Sequence, residues 1–190
     1  MKNTLIIIGH PHFDKSIANK AIIEILKEKI ELEKLDSNIR FRNLIELYPN
    51  YKIDIRAEQE ALIWAENIVL QFPLYWYNVP AILKLWMDEV LEYGFAYGKT
   101  GDKMKGKNLL FSFTTGGPEE SYTQGGRNNF EISSLLNPHK QISNLMGCKF
   151  LNPVCSHSMI NQPTISTNFN ELKEKSKIHA NIILETINNL

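Results

Sequence analysis

Three short stretches of this chain combine residue types that plain connectors seldom carry together. The first, His10-Pro11-His12-Phe13-Asp14-Lys15-Ser16-Ile17-Ala18-Asn19, sets two imidazoles before a hydroxyl and an amide. A helix opening at Ser16 would offer free backbone N–H groups and a positive dipole end, which together form a seat for phosphate. Ser16 and Asn19 would add side-chain donors there, and His10 a donor or a charge. The plainer alternative makes Ser16 a simple helix cap and His10 a turn residue. Neither GxGxxG nor GxxxxGK[ST] follows the preceding apolar run, so a dinucleotide fingerprint and an ATP loop are not indicated.

The second stretch, Pro73-Leu74-Tyr75-Trp76-Tyr77-Asn78-Val79-Pro80, has three consecutive aromatics. Neighbouring side chains point in different directions, so the three cannot all be buried together. A planar conjugated ring is the natural partner for such a platform, the alternative being core or subunit contact. The third stretch, Thr114-Thr115-Gly116-Gly117-Pro118-Glu119-Glu120-Ser121-Tyr122, joins hydroxyls to two glycines. Its backbone can approach a ligand closely, and successive N–H groups can bond a carbonyl or a developing anion. Together the three describe a ligand with a phosphate, a flat ring and an electron-rich ring edge. Flavin mononucleotide (FMN) fits that description.

These stretches need a frame that brings them together. Leu5 to Ile8 reads as a strand buried on both faces, and Gly9-His10-Pro11 ends it. Ala18, Ile22, Ile25, Leu26 and Ile30 then recur at helical spacing behind Ser16. Asn38 to Leu47 alternates loosely, as a less buried strand does, and Ala57 to Trp64 suits a helix capped by Asp54. Ile68 to Phe72 is a buried strand stopped by Pro73, and Val79, Ile82, Leu83, Trp86, Val90 and Leu91 mark a helix opened by Pro80. Gly94 to Gly106 reads as a connection. Leu109 to Thr114 is a strand, Ile132 to Met146 a helix interrupted by Pro138, Phe150 to Val154 a short fifth strand, and Glu171 to Leu190 a closing amphipathic helix.

Strands interleaved with helices predict an α/β fold: a doubly wound, five-stranded parallel sheet with helices on both faces, and residues 1–190 as one domain. Ligands of such sheets bind beyond the carboxyl ends of the strands, where all three stretches fall.

Composition removes several function classes. Lys plus Arg equal Asp plus Glu at 21 each, so there is no basic excess to expect nucleic acid from. Cys148 and Cys155 have neither a disulfide framework nor metal-ligand spacing. The apolar run near the N-terminus is too short for a signal peptide, and no run approaches a membrane span, which predicts a cytoplasmic protein.

At the level of motifs, nearly the whole chain resembles the flavodoxin-like NAD(P)H:quinone oxidoreductase family. The resemblance rests on His10-Pro11 with Ser16-Ile17-Ala18-Asn19, and on the series Pro73, Trp76, Tyr77, Pro80, Ala81, Leu83, Lys84 and Trp86. Phe95-Ala96-Tyr97-Gly98 and Thr114-Thr115-Gly116-Gly117 extend it. Leu47-Tyr48-Pro49, Ile53-Asp54-Ile55 and Ala57-Glu58-Gln59-Glu60-Ala61-Leu62 look most like the small bacterial branch, which holds general-stress quinone reductases and ancillary subunits of glutathione-gated potassium efflux systems.

The resemblance implies FMN, with FAD as the alternative, and NAD(P)H as co-substrate. The acceptor would be a quinone or another flat molecule, such as an azo dye or a nitroaromatic, and transfer would be ping-pong within a homodimer. By motif position His10, Ser16, Ile17, Ala18 and Asn19 would hold the phosphate. Leu74, Tyr75, Trp76 and Tyr77, headed by Pro73, would line the isoalloxazine, and Thr114, Thr115, Gly116 and Gly117 would bond its pyrimidine edge. Tyr122 takes the place of the tyrosine that stabilises reduced flavin in longer animal-type members. Asn128 stands where those members carry a histidine, which removes the expected Tyr–His pair.

Two rivals belong to other classes. One is a regulatory subunit docking on a potassium-efflux antiporter, peripheral at the inner membrane. The other is a one-electron flavodoxin carrier, disfavoured by the neutral charge and by the absence of that family's phosphate loop. His12 reads as a loop residue, the alternative being a second phosphate contact. His139 and His157 lack the spacing of a metal site or nucleophile relay, Glu119 and Glu120 read as solvated charges, and Arg127 either as a loop residue or as a contact for a pyridine-nucleotide phosphate.

Overall fold

Leu5-Ile6-Ile7-Ile8 has no polar face, and its place in the sheet needs none. In the computed structural model, which describes residues 2–34, 38–160 and 169–190, β1 (Thr4–Ile8) is buried throughout and hydrogen-bonds to a parallel strand on each side. Its neighbours are β2 (Ile39–Asn43) and β3 (Asn67–Pro73); β3 in turn pairs with β4 (Asn108–Thr114). Beyond β4 lie two short pieces on one edge, β5 (Lys149–Phe150) and β6 (Val154–Ser156). The order β2-β1-β3-β4-β5 reverses direction at β1/β3, and that reversal opens a crevice beyond the carboxyl ends of these two strands.

Strand alternation sorts the core into two layers. Ile6, Ile8 and Val69 pack with Ile22, Ile23 and Leu26 of α1 (Ala18–Leu32) and with Ala180, Ile183 and Leu184 of α7 (Phe169–Asn188). Leu5, Ile7, Leu70, Phe72 and Phe111 face the other way, onto Leu62 of α3 (Ile55–Trp64) and Ile82, Leu83 and Trp86 of α4 (Ala81–Val90). The close approach of α4 needs a glycine at the end of β1: a Cβ on Gly9 would lie 2.6 Å from Leu83 Cβ.

Ser16 and Asp54 both cap as expected. Ser16 Oγ accepts the Asn19 N–H at 3.2 Å, and Asp54 accepts that of Ala57 at 3.1 Å. Three elements differ from the sequence reading. The second strand stops at Asn43, because Leu44 turns inward to start one turn of helix, α2 (Leu44–Leu47). The segment ending at Met146 divides into α5 (Ile132–Leu135) and α6 (Asn137–Met146), with Pro138 tolerated in the first turn of the second. The fifth strand runs to Ser156 but is split. Phe150 opposes Leu109 whereas Val154 opposes Ser112, so one extra residue bulges out beside Pro153, which has no N–H to give the ladder.

Between β2 and the α3–α4 layer lies a buried carboxylate. Glu58 is fully enclosed, and its Oε1 accepts from Arg42 Nε and from the Tyr48 hydroxyl, each at 2.6 Å. Oε2 takes the Trp86 indole N–H at 2.9 Å. Every strong partner is met, as a buried charge requires.

Candidate active site

The three stretches converge on two adjoining cavities at the crevice. The first, about 440 Å³, is lined by His10, Ser16, Ile17, Ala18 and Asn19 from the β1–α1 turn. Pro73, Leu74 and Tyr75 close one side of it, and Thr114, Thr115 and Gly116 another. The second, about 640 Å³, is lined by Trp76, Tyr77, Gly117 and Tyr122, and it shares Leu74 and Gly116 with the first.

Donors without acceptors mark two walls of this space. Among the described residues no acceptor meets the backbone N–H of Ile17 or Ala18 at the start of α1, nor those of Gly116 and Gly117. Four unpaired donors at the cavity walls suit an anion on one side and a ring carbonyl edge on another. The glycine pair is held in place from behind. Thr115 N–H bonds Ser156 O at 2.9 Å, Thr115 Oγ donates to Gly117 O at 2.9 Å, and Ser158 N–H bonds the same carbonyl at 3.0 Å.

His10 is buried, and its Nδ1 accepts the His12 N–H at 3.0 Å, so the remaining ring proton sits on Nε2. Burial, helped by the nearby His12, pushes its pKa down to about 4. At neutral pH it is therefore a donor and not a charge. His179, wholly enclosed on α7, is likewise pushed down to about 4 by burial. Unfolded, both imidazoles would protonate near 6.5, so between about 6.5 and 4 the unfolded chain binds more protons and stability falls with falling pH. The expected loss is up to about 1.4 kcal/mol per pH unit for His179, and less for His10, which lines a cavity. Urea midpoints at pH 7 and pH 5 measure it; equal midpoints contradict it.

The aromatic stretch forms a two-residue turn. Tyr75 and Asn78 exchange backbone hydrogen bonds of 3.0 Å, while Trp76 and Tyr77 take φ of 49° and 62°. Positive φ at both central positions is type I′ geometry, normally given to Asn-Gly. Two aromatic residues there cost about 1–3 kcal/mol each. The strain displays Trp76 at 93% exposure beside the half-exposed Tyr77. The Tyr77 hydroxyl reaches Asn128 Oδ1 at 3.2 Å, which ties this turn to the third loop.

Asn19 lines the first cavity, yet its amide is engaged on both sides. Nδ2 donates to Thr114 Oγ1 at 3.0 Å, and Oδ1 accepts from Gln71 at 2.8 Å. Tyr122 lies over Gly117 in the second cavity, and burial pushes its phenol up, so it keeps its proton. His157, whose spacing suggests no metal or relay, meets two of these groups in the fold. Its ring is 5.4 Å from that of Tyr122, and its Nδ1 is 3.0 Å from Thr115 Oγ1. His157 thus lies beside Tyr122 from beyond β6, with its Nε2 3.5 Å from Cys155 Sγ.

Sequence reasoning also passed over Lys15, Met159 and Ile160, and it placed His12 in a plain loop; all four line the first cavity. Two basic residues just ahead of a helix start were a usable signal for Lys15 and His12. Met159 and Ile160 carried none, because only the pairing of β6 with β4 brings them near.

A family profile described as flavodoxin-like fold matches residues 2–179. The chain belongs to the flavodoxin-like fold family. Among curated flavodoxin-like relatives, general stress protein 14 of Bacillus subtilis is 44% identical over 78% of this chain and 81% of its own. The uncharacterized NAD(P)H oxidoreductase YrkL of the same organism is 41% identical over the same shares. The glutathione-regulated potassium-efflux system ancillary protein KefF of Salmonella newport is 44% identical over 80% and 82%.

Solved structures agree on the fold. General stress protein 14 of Treponema denticola, in complex with FMN, superposes with TM-score 0.83 at 27% identity over 95% and 97% of the two chains. An NADPH-quinone reductase from P. pentosaceus gives 0.74 at 29% identity over 94% and 97%. A chain described as a thermophilic tryptophan halogenase from Streptomycin violaceusniger gives 0.82 at 35% identity over 95% and 98%. That spread of descriptions on one flavodoxin-like frame is why function has to be argued from the site. No helix among the described residues is long and apolar enough to cross a membrane.

Proposed function

We propose that this flavodoxin-like protein is an FMN-dependent NAD(P)H:quinone oxidoreductase. One observation carries the reading: two adjoining cavities have unpartnered backbone donors on two of their walls and a strained aromatic turn between them. The descriptions of YrkL, the P. pentosaceus reductase and the FMN complex from T. denticola support it.

Bound FMN supplies two-electron hydride transfer. Ile17 and Ala18 N–H, the Ser16 hydroxyl and neutral His10 bind its phosphate, with Lys15 as a nearby cation and His12 beside it. Gly116 and Gly117 N–H hold the electron-rich ring edge and favour negative charge there. The Tyr75–Tyr77 turn walls the ring, and Tyr122 presents a retained phenolic proton beside it.

The second cavity is the slot for both NAD(P)H and acceptor, taken in turn. Initial rates at varied NAD(P)H and quinone should give parallel reciprocal lines; intersecting lines reject a shared slot. Tyr122→Phe is expected to lower kcat by about 100-fold, the scale of one positioned proton donor, with flavin binding unchanged. A full-rate variant removes Tyr122 from the chemistry.

The exposure of Trp76 supports a homodimer in which a second copy completes the slot. Sedimentation of the flavin-loaded protein tests this, and a fully active monomer rejects it. The likeness to KefF favours a second reading, docking on a potassium-efflux antiporter at the cytoplasmic face. Co-purification with an antiporter encoded beside the gene separates that role from a free-standing reductase.

A further inference from the structure

A polar path runs through the centre of this apolar sheet. Gln71 and Ser112, on adjacent central strands, and His179, on α7, are fully enclosed. Ser156 Oγ lies 2.7 Å from His179 Nδ1, and His179 Nε2 lies 2.7 Å from Ser112 Oγ. Ser112 donates to Gln71 Oε1 at 2.6 Å, Gln71 Nε2 donates to Asn19 Oδ1, and Asn19 Nδ2 donates to Thr114 Oγ1.

The direction of the path follows from counting protons. Ser112 has one hydroxyl proton and gives it to Gln71, so its oxygen accepts from His179. His179 therefore carries its proton on Nε2, and its Nδ1 accepts from Ser156. Each link polarises the next. Of the hydroxyl protons along the path, only that of Thr114 finds no acceptor among the described residues, and Thr114 lines the first cavity. The one spare hydroxyl proton of the path thus opens into the first cavity.

We infer that Ser156, His179, Ser112, Gln71 and Asn19 form a remote positioning device that fixes the Thr114 hydroxyl as a donor to the phosphate-bearing tail of FMN and not, as the resemblance implies, to its pyrimidine edge. His179, on the far helix, is then a positioning residue for the cofactor site. The inference rests on the FMN reading above.

The test is a double-mutant cycle read as affinity for FMN and for riboflavin, which lacks the phosphate, by quenching of flavin fluorescence. Thr114→Val should weaken FMN about tenfold, the scale of one hydrogen bond to a charged acceptor, and riboflavin little. Ser112→Ala should weaken FMN in the same direction, Ser112→Thr should restore it, and the double variant should bind no worse than Thr114→Val alone. Nitrogen NMR of wild-type His179 gives a reading that needs no variant to fold: the proton should sit on Nε2. Additive losses with normal wild-type binding, or a proton on Nδ1, overturn this inference alone. Failure of the wild type to bind either flavin overturns the FMN reading beneath it.

Discussion

Ser16→Asp should weaken FMN binding by about 100-fold or more and leave the flavin-free protein as stable as before. The substitution separates two roles that one side chain performs. As a cap, Asp replaces Ser without loss, accepting the Asn19 N–H and placing a negative charge favourably at a helix N-terminus. As a phosphate ligand it fails, because a carboxylate about 4 Å from a phosphate charge repels it by about 4 kcal/mol at an effective dielectric of 20. Riboflavin, with no phosphate, should bind the variant as it binds the wild type. FMN titrations and urea curves on the same preparations measure both halves. Unchanged FMN affinity would reduce Ser16 to a cap and move the phosphate elsewhere.

The largest loss of stability is expected from Glu58→Ala, about 3–5 kcal/mol, the range for removing one partner of a buried ion pair. The variant strands three groups at once: the Arg42 guanidinium, the Tyr48 hydroxyl and the Trp86 indole N–H, all of which now bond Glu58. Glu58→Gln keeps one acceptor oxygen and should lose less, although its amide N–H₂ then faces a donor, since Arg42 is partly open to water. Urea unfolding should show a lower midpoint with an unchanged slope. A loss under 1 kcal/mol would mean that the surrounding core relaxes around the gap.

Local signals made much of this legible. The unbroken apolar runs of β1, β3 and β4 could only be strands covered on both faces, and doubly wound sheets bind ligands where such strands end. Thr114-Thr115-Gly116-Gly117 and Tyr75-Trp76-Tyr77 stood out because their chemistry is wasted in a connector. Periodicity reads contacts a few residues apart, and what it missed is longer in range or locally unsignalled. His157 meets Tyr122, and His179 meets Ser112, only through the pairing of β6 with β4 and the docking of α7. The type I′ turn at Trp76-Tyr77 has no Asn or Gly at its central positions to announce it, and the long-range bond of Tyr77 to Asn128 leaves no local trace. The bulge beside Pro153 was likewise hidden, because a strand-like composition does not show the register of its partner.

Titration of FMN into flavin-free protein tests the central claim most directly, followed by visible absorption and flavin fluorescence. Uptake should saturate at one FMN per chain, quench the fluorescence, and weaken by about 100-fold or more in Ser16→Asp while riboflavin uptake survives. A spectrum that stays that of free FMN at saturating protein would contradict the whole account.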